Sequence, residues 1–167
     1  MIKKLFTKCK RVCRFYYMKA VREQGTPEYI ARGWAIGMFI GLFIPFGLQL
    51  AISVPLAFLL KGSKLGSVVG TFLTNHFTIF IIYPFQCWLG NMIIGGKLSI
   101  AEIEQAMDLV VEKQDYKVLY NLGMEIVVSF FLGGLILALI ITPICYYGVK
   151  YLVIRYRRIS AEKKKIN

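Results

Sequence analysis

Residues 33–60, GWAIGMFIGLFIPFGLQLAISVPLAFLL, contain no Asp, Glu, Lys or Arg over 28 positions. As one helix this run would reach about 42 Å, against about 30 Å of hydrocarbon in a bilayer. Near its middle stand Pro45 and Gly47. A proline has no N–H and disfavours helix in the residue before it, and a glycine permits a sharp turn, so the run divides there. Charge decides how the two pieces are arranged. A single crossing would place the basic loop KGSK, residues 61–64, outside; a turn at residues 45–49 returns it to the side that holds the other basic segments. The pattern predicts a re-entrant helical hairpin, which is tolerated at membrane depth only where protein or a wet cavity covers the non-helical backbone.

The rest of the chain has the same character. Of its 167 residues 57% are hydrophobic and the mean hydropathy is +0.59, too apolar for an ordinary soluble domain and long enough for one compact unit. Two further uncharged runs, residues 65–96 and 126–149, each exceed the roughly 20 residues that span a bilayer. The fold class expected is an all-α integral membrane protein of Gly-rich broken or re-entrant helices and spanning helices. The organisation expected is a basic amphipathic interfacial arm at 1–25, one membrane domain at 26–158 with an acidic external loop at 97–125, and a basic cytoplasmic tail at 159–167. The arm has no uninterrupted apolar stretch or small-residue cleavage site and reads as mature sequence, not as a signal peptide.

The net charge of +12 is gathered at the ends. Residues 1–32 carry nine Lys or Arg against two Glu, residues 150–167 carry seven against one, and residues 97–125 are net acidic. By the positive-inside rule both termini face the cytoplasm and the acidic loop lies outside, which predicts a multi-pass protein of a bacterial inner membrane. The basic ends suit anionic lipid headgroups better than nucleic acid. Cys9, Cys13, Cys87 and Cys145 form no disulfide framework.

Local signals place the elements. Thr26 as N-cap, Pro27 at the first helical position and Glu28 beside the positive helix end open a helix. Gly33, Gly37 and Gly41, then Gly62, Gly66 and Gly70, recur every four residues. Each set forms a flat face for close helix packing, and the two faces are candidates to meet. Asn75, His76 and Pro84 predict a second break, and Ser99 with Glu102 a capping box opening an acidic amphipathic helix.

Catalytic chemistry finds little footing. The apolar runs hold one His and no carboxylate, and no phosphate-binding Gly-Lys-Ser or Gly-Lys-Thr loop occurs. No enzyme, cofactor or metal site is expected. The polar residues on broken helices are the candidates for a ligand: Gln49, Thr71, Thr74, Asn75 and Thr78, with breaks at Pro45, Gly47 and Pro84. Exposed half-helix N-termini suit anions at mid-membrane. Thr hydroxyls also bond their own helix, and an Asn can cap a break, so a purely structural role stands beside the functional one.

TPEYIARGWAIGMFIGLFIPFGLQ followed by GTFLTNHFTIFIIYPFQCWLG resembles the bacterial membrane family known as domain of unknown function 2062. The shared features fall on Pro27, Glu28, Gly33, Gly37, Gly41, Pro45, Gly47, Gln49, Gly70, Thr71, Asn75, Thr78, Tyr83, Leu89 and Gly90. His76 stands where the family usually has Pro, which argues against an essential role for that position. The resemblance implies a fold and no reaction. Relatives fused to glycosyltransferase domains imply a setting of lipid-linked glycan or envelope assembly, and the layout is similar, by analogy alone, to lipid-translocating DedA-type proteins. The expected function is binding or translocation of an amphipathic anion, such as a polyprenyl phosphate or another lipid-linked envelope precursor, by a homo-oligomer. The alternative is a scaffold that recruits envelope-assembly enzymes through its basic arms.

Overall fold

A computed structural model describes residues 11, 18, 22–72, 74, 78–96, 99, 101–102 and 124–166. Among them are five helices and no strand: α1 Pro27–Phe43, α2 Gln49–Leu59, α3 Lys64–Thr71, α4 Ile79–Ile94 and α5 Met124–Ile166. Most of the basic N-terminal arm and of the acidic loop lies outside the described residues. Within them, Arg11, Met18 and Arg22 are helical. Ser99 and Glu102 form the capping box: the Ser99 N–H donates to Glu102 Oε2 at 2.8 Å and the Glu102 N–H to Ser99 Oγ at 3.3 Å. The Ser99 N–H and the Ser99 hydroxyl, which also donates to Glu102 Oε2 at 2.8 Å, hold the Glu102 carboxyl below its ordinary pKa.

The ends of α1 follow from local chemistry. The Tyr29 N–H donates to Thr26 Oγ1 at 3.2 Å, capping the first turn ahead of Pro27. At the other end Ile44 is extended, with φ −101° and ψ 136°, the conformation its following proline imposes. Gly47 at φ +101° then lets the chain reverse into α2. The reversal is complete, because α2 returns its C-terminus to the start of α1. There Arg32 Nη1 donates to Leu60 O at 3.0 Å and the Ser63 N–H donates to Tyr29 O at 3.0 Å. Residues 33–60 therefore form a helical hairpin.

From Ser63 the chain turns again, and α3 runs parallel to α1. The contacts step in register, Gly33 against Ser63, Gly37 against Ser67 and Gly70, and Gly41 against Thr71 and Thr74. At the crossing of Gly37 and Gly70 backbone meets backbone, where a Cβ on Gly37 would overlap the Ser67 carbonyl and come within 2.9 Å of Gly70 Cα. The two glycine faces lie against each other, with Ser63 and Ser67 completing the α3 side.

Long α5 ties these parts together. Its C-terminal half packs antiparallel to α1, with Ile30 and Ala31 buried on Val149 and Val153, while Phe43 meets Phe131 edge-on at 5.6 Å near its N-terminal end. The N-terminal half crosses α4, also antiparallel, around Ile79, Tyr83, Cys87, Ile126 and Phe130. Gly90 rests there on Ser129 and Gly133 on Gln86, a second glycine contact. Because α1 and α4 both oppose α5, α3 and α4 run in the same sense. The second apolar run is thus one interrupted helix and the first is a hairpin.

One expectation is corrected. Pro84 marks no break: it lies inside α4, sixth from its start, and only its bond toward Phe80 O is forgone. Pro55 and Pro143 are likewise carried inside α2 and α5. The interruption falls upstream, between Thr71 and Ile79, the stretch that holds Asn75 and His76, and there Thr71 and Thr74 hydroxyls bond the carbonyls of Val68 and Thr71. At the other end α5 is helical through Ile166, 43 residues or about 65 Å, so residues 159–166 continue it. Its segment Met124–Glu162 is long and apolar enough to cross a membrane. Large side chains of α2, α4 and α5 face outward, Phe58, Leu59, Ile81 and Ile144 each more than 60% exposed.

Candidate functional site

The hairpin tip and the interruption of the second run meet at one carbonyl. A helix leaves its last carbonyls unbonded, and at the end of α1 two of these are Gly41 O and Ile44 O. Gln49 Nε2 donates one hydrogen to each, at 2.9 Å in both cases. Thr74 Oγ1 lies 2.9 Å from Gly41 O, 3.2 Å from Gln49 Oε1 and 3.0 Å from Thr71 O; its single proton serves one of the three at a time. Thr71 Oγ1 donates back to Val68 O at 2.7 Å. The Phe46 N–H at the tip donates to Tyr83 Oη at 2.8 Å, fastening the tip to α4.

All three polar side chains are buried: Gln49 is 3% exposed, Thr71 3% and Thr74 1%. The structure thus brings Gln49, Thr71 and Thr74 together, with their hydrogen-bonding capacity turned onto backbone. Thr78 stands one residue before α4 without a side-chain cap bond there, and Asn75 and His76 lie outside the described residues. Pro45 and Gly47 are in the tip itself. The glycines that were singled out all serve the α1–α3 contact, which sets the depth at which Gln49 reaches Thr74. No group of three or more His, Cys, Asp or Glu close enough to hold a metal occurs among the described residues.

Open space lies elsewhere, at the basic end. A cavity of about 540 Å³ is lined by Gln24, Gly25, Thr26, Tyr29, Arg32 and Lys61. A groove of about 310 Å³ is lined by Ala35, Ile36, Phe39, Leu56, Leu60 and Thr142, again with Arg32. The two adjoin at Arg32 and at the consecutive residues Leu60 and Lys61. Neither includes Gln49, Thr71 or Thr74.

The carboxylates near the cavity are engaged. Glu28 pairs with Lys150 at 3.0 Å, which lowers the Glu28 pKa. Glu23 accepts a short hydrogen bond from Ser63 Oγ, and its own carbonyl accepts from Arg157 Nη2 at 2.9 Å. Burial raises the Glu23 pKa above its ordinary 4.5, opposed by the Ser63 bond. The folded protein then binds more protons than the unfolded chain just above pH 4.5, so Glu23 lowers stability as pH rises through its folded pKa. Glu23→Gln is expected to remove that share of the decline, and thermal unfolding of both proteins in detergent between about pH 4.5 and about pH 7.5 measures it. A wild-type and variant pair with parallel profiles would show that Glu23 is solvated like an ordinary carboxylate.

Sequence reasoning did not single out Arg32, Lys61 or Gln86 as site residues, and Tyr83 entered only among the positions that carry the family resemblance. Gln86 is fully buried, with Nε2 donating to Phe130 O at 2.9 Å and Oε1 without a partner. Its signal was the one that drew attention to Gln49, an amide inside an uncharged run. Arg32 and Lys61 carried no such signal, because each is an ordinary basic residue at the end of an apolar run until Arg32 is seen bonded to residues 28 and 29 positions away.

No curated protein and no solved structure matches the chain. A family model does, described as an uncharacterized protein conserved in bacteria (DUF2062), over residues 10–162. The match takes in the α1–α2 hairpin, the interrupted α3–α4 helix, both cavities and nearly all of α5, and on that extent the chain belongs to the DUF2062 family.

Proposed function

We propose that this is a multi-pass protein of the bacterial inner membrane, with both termini cytoplasmic, that binds or translocates an amphipathic anion such as a polyprenyl phosphate or another lipid-linked envelope precursor. The observation that carries this reading is the division of the surface. Helix flanks covered by exposed Phe, Leu and Ile lead to one basic end, and at that end a cavity is rimmed by Arg32 and Lys61. Apolar flanks of this extent suit lipid, and a cationic pocket at headgroup level suits a phosphate. The hairpin enters from the cytoplasmic side, its tip covered by α4 through Tyr83, in keeping with irregular backbone being tolerated only under protein cover. Two helix interruptions joined by few hydrogen bonds at Gly41 O give a seam able to shift if the substrate moves.

The test is reconstitution of the full chain. Phosphatidylcholine vesicles with the protein are expected to retain a phosphorylated amphipath better than its zwitterionic counterpart, and to exchange it between leaflets faster than protein-free vesicles if translocation occurs. Failure to bind or exchange it, with Gln49→Ala and Asn75→Ala silent in cells, overturns the proposal. A scaffold that recruits envelope enzymes is favoured by one observation, the continuation of α5 past its apolar run as a helix bearing exposed Arg155 and Arg158. Deleting residues 2–22 or the end of α5 would then abolish the cellular phenotype while substitutions in the cavity do not.

A further inference from the structure

We infer that Arg32 divides a single binding site into two compartments, a phosphate compartment at Tyr29 and Lys61 and a tail compartment at Ala35, Phe39 and Leu56, so that the ligand is a phosphate ester with a hydrocarbon tail. This rests on the proposal that the protein takes an amphipathic anion, and goes beyond it in naming where headgroup and tail are held. The two cavities share Arg32; Gln24, Thr26, Tyr29 and Lys61 line the first, while the second, apart from Arg32 and Thr142, is aliphatic and aromatic.

The guanidinium is set for the task. Both of its carbonyl contacts, to Leu60 O at 3.0 Å and Lys61 O at 3.5 Å, are made by Nη1. Nη2 and Nε keep their N–H donors for a further acceptor, and the planar fork of an Arg matches two phosphate oxygens. The Leu60 bond also fixes the side chain, so little freedom is lost when an anion arrives. Lys61 supplies a second cation from a left-handed backbone, φ +51°, a conformation that strains a residue with a Cβ. Gly62 follows directly, yet the strained position is occupied by the lysine. Of the carboxylates Glu28 and Glu23, the first is balanced by Lys150, while the second is bonded to the neutral Ser63 hydroxyl and keeps its charge when ionised.

The groove, about 310 Å³ and open at the surface, is lined from α1, α2 and α5 and seats the hydrocarbon tail of the ligand beside Arg32. Inorganic phosphate gains nothing from it.

The experiment titrates the full-length protein in phosphatidylcholine nanodiscs with monododecyl phosphate, farnesyl phosphate and inorganic phosphate. The two esters are expected to bind at least about tenfold more tightly than inorganic phosphate. Arg32→Gln is expected to weaken that binding about tenfold or more. Lys61→Gly separates function from folding, because it removes the strain and the charge together: affinity falls while thermal stability holds or rises. Ala35→Met, which fills the groove, weakens the esters and leaves inorganic phosphate unchanged. If wild type binds the esters and neither Arg32→Gln nor Lys61→Gly alters affinity, the site assignment is wrong and anion binding survives. Esters that bind no more tightly than inorganic phosphate overturn the tail compartment. No binding of any anionic amphipath overturns both proposals.

Discussion

Replacing Gly37 with alanine is expected to destabilise the fold by roughly 3 kcal/mol or more, beyond the usual cost of one inserted methyl group. The added Cβ would overlap the Ser67 carbonyl and lie 2.9 Å from Gly70 Cα, and both obstacles are backbone of a helix held at each end. Relief requires α1 and α3 to move apart. Their separation would draw Thr74 from Gly41 O and Gln49, so the damage reaches the polar junction one turn further on. Gly148→Ala is the matched control, also inside a helix but with nothing within 4 Å of its Cβ position. There alanine is expected to stabilise by about 0.5–1 kcal/mol through helix propensity alone. Equilibrium unfolding of the three proteins in mixed detergent micelles measures both shifts. A Gly37→Ala protein as stable as wild type would mean that the α1–α3 contact is looser than the backbone geometry requires.

Gln49→Leu is expected to be the next most damaging change, at roughly 2–4 kcal/mol. The leucine fits the space and withdraws both N–H donors, leaving Gly41 O and Ile44 O at a buried helix end short of partners. Thr74→Val should cost about 1 kcal/mol, and more than that in the Gln49→Leu background, where the hydroxyl is the remaining side-chain donor to Gly41 O. A double-mutant cycle reads that coupling. The result has a functional side as well. If Gln49→Leu unfolded no more easily than wild type yet lost ligand exchange in vesicles, the amide would be a substrate group and not a helix cap.

Of the candidate site, the residue types were legible and their roles were not. Gln49 and Thr74 stood out because amides and hydroxyls in uncharged runs must find partners. That their partner is the exposed end of α1 depends on α3 lying parallel to α1 at glycine distance, and many chain paths are compatible with the same sequence. Arg32 illustrates the converse. Basic residues at the edge of an apolar run are ordinary in a membrane protein, and only the return of α2 gives this one two helix-end carbonyls and a cavity on each side.

What the sequence determined by itself was local or additive. Thr26 and Pro27 start α1 because a hydroxyl acceptor and a missing N–H suit the first turn wherever it lies. Pro45 and Gly47 end it because a forbidden donor and an allowed positive φ act within two or three residues. The apolar length of α5 and the gathering of charge at the termini follow from composition along the chain. Only the tertiary structure decided that Pro55, Pro84 and Pro143 stay inside helices, because one lost hydrogen bond costs less than breaking a helix whose flanks are packed. It likewise decided that the two glycine faces adjoin, that Gln49 is held by backbone, and that the cavities meet at Arg32. Each of these is a contact between residues far apart in the chain, fixed by which surfaces pack together and not by any residue's own preference.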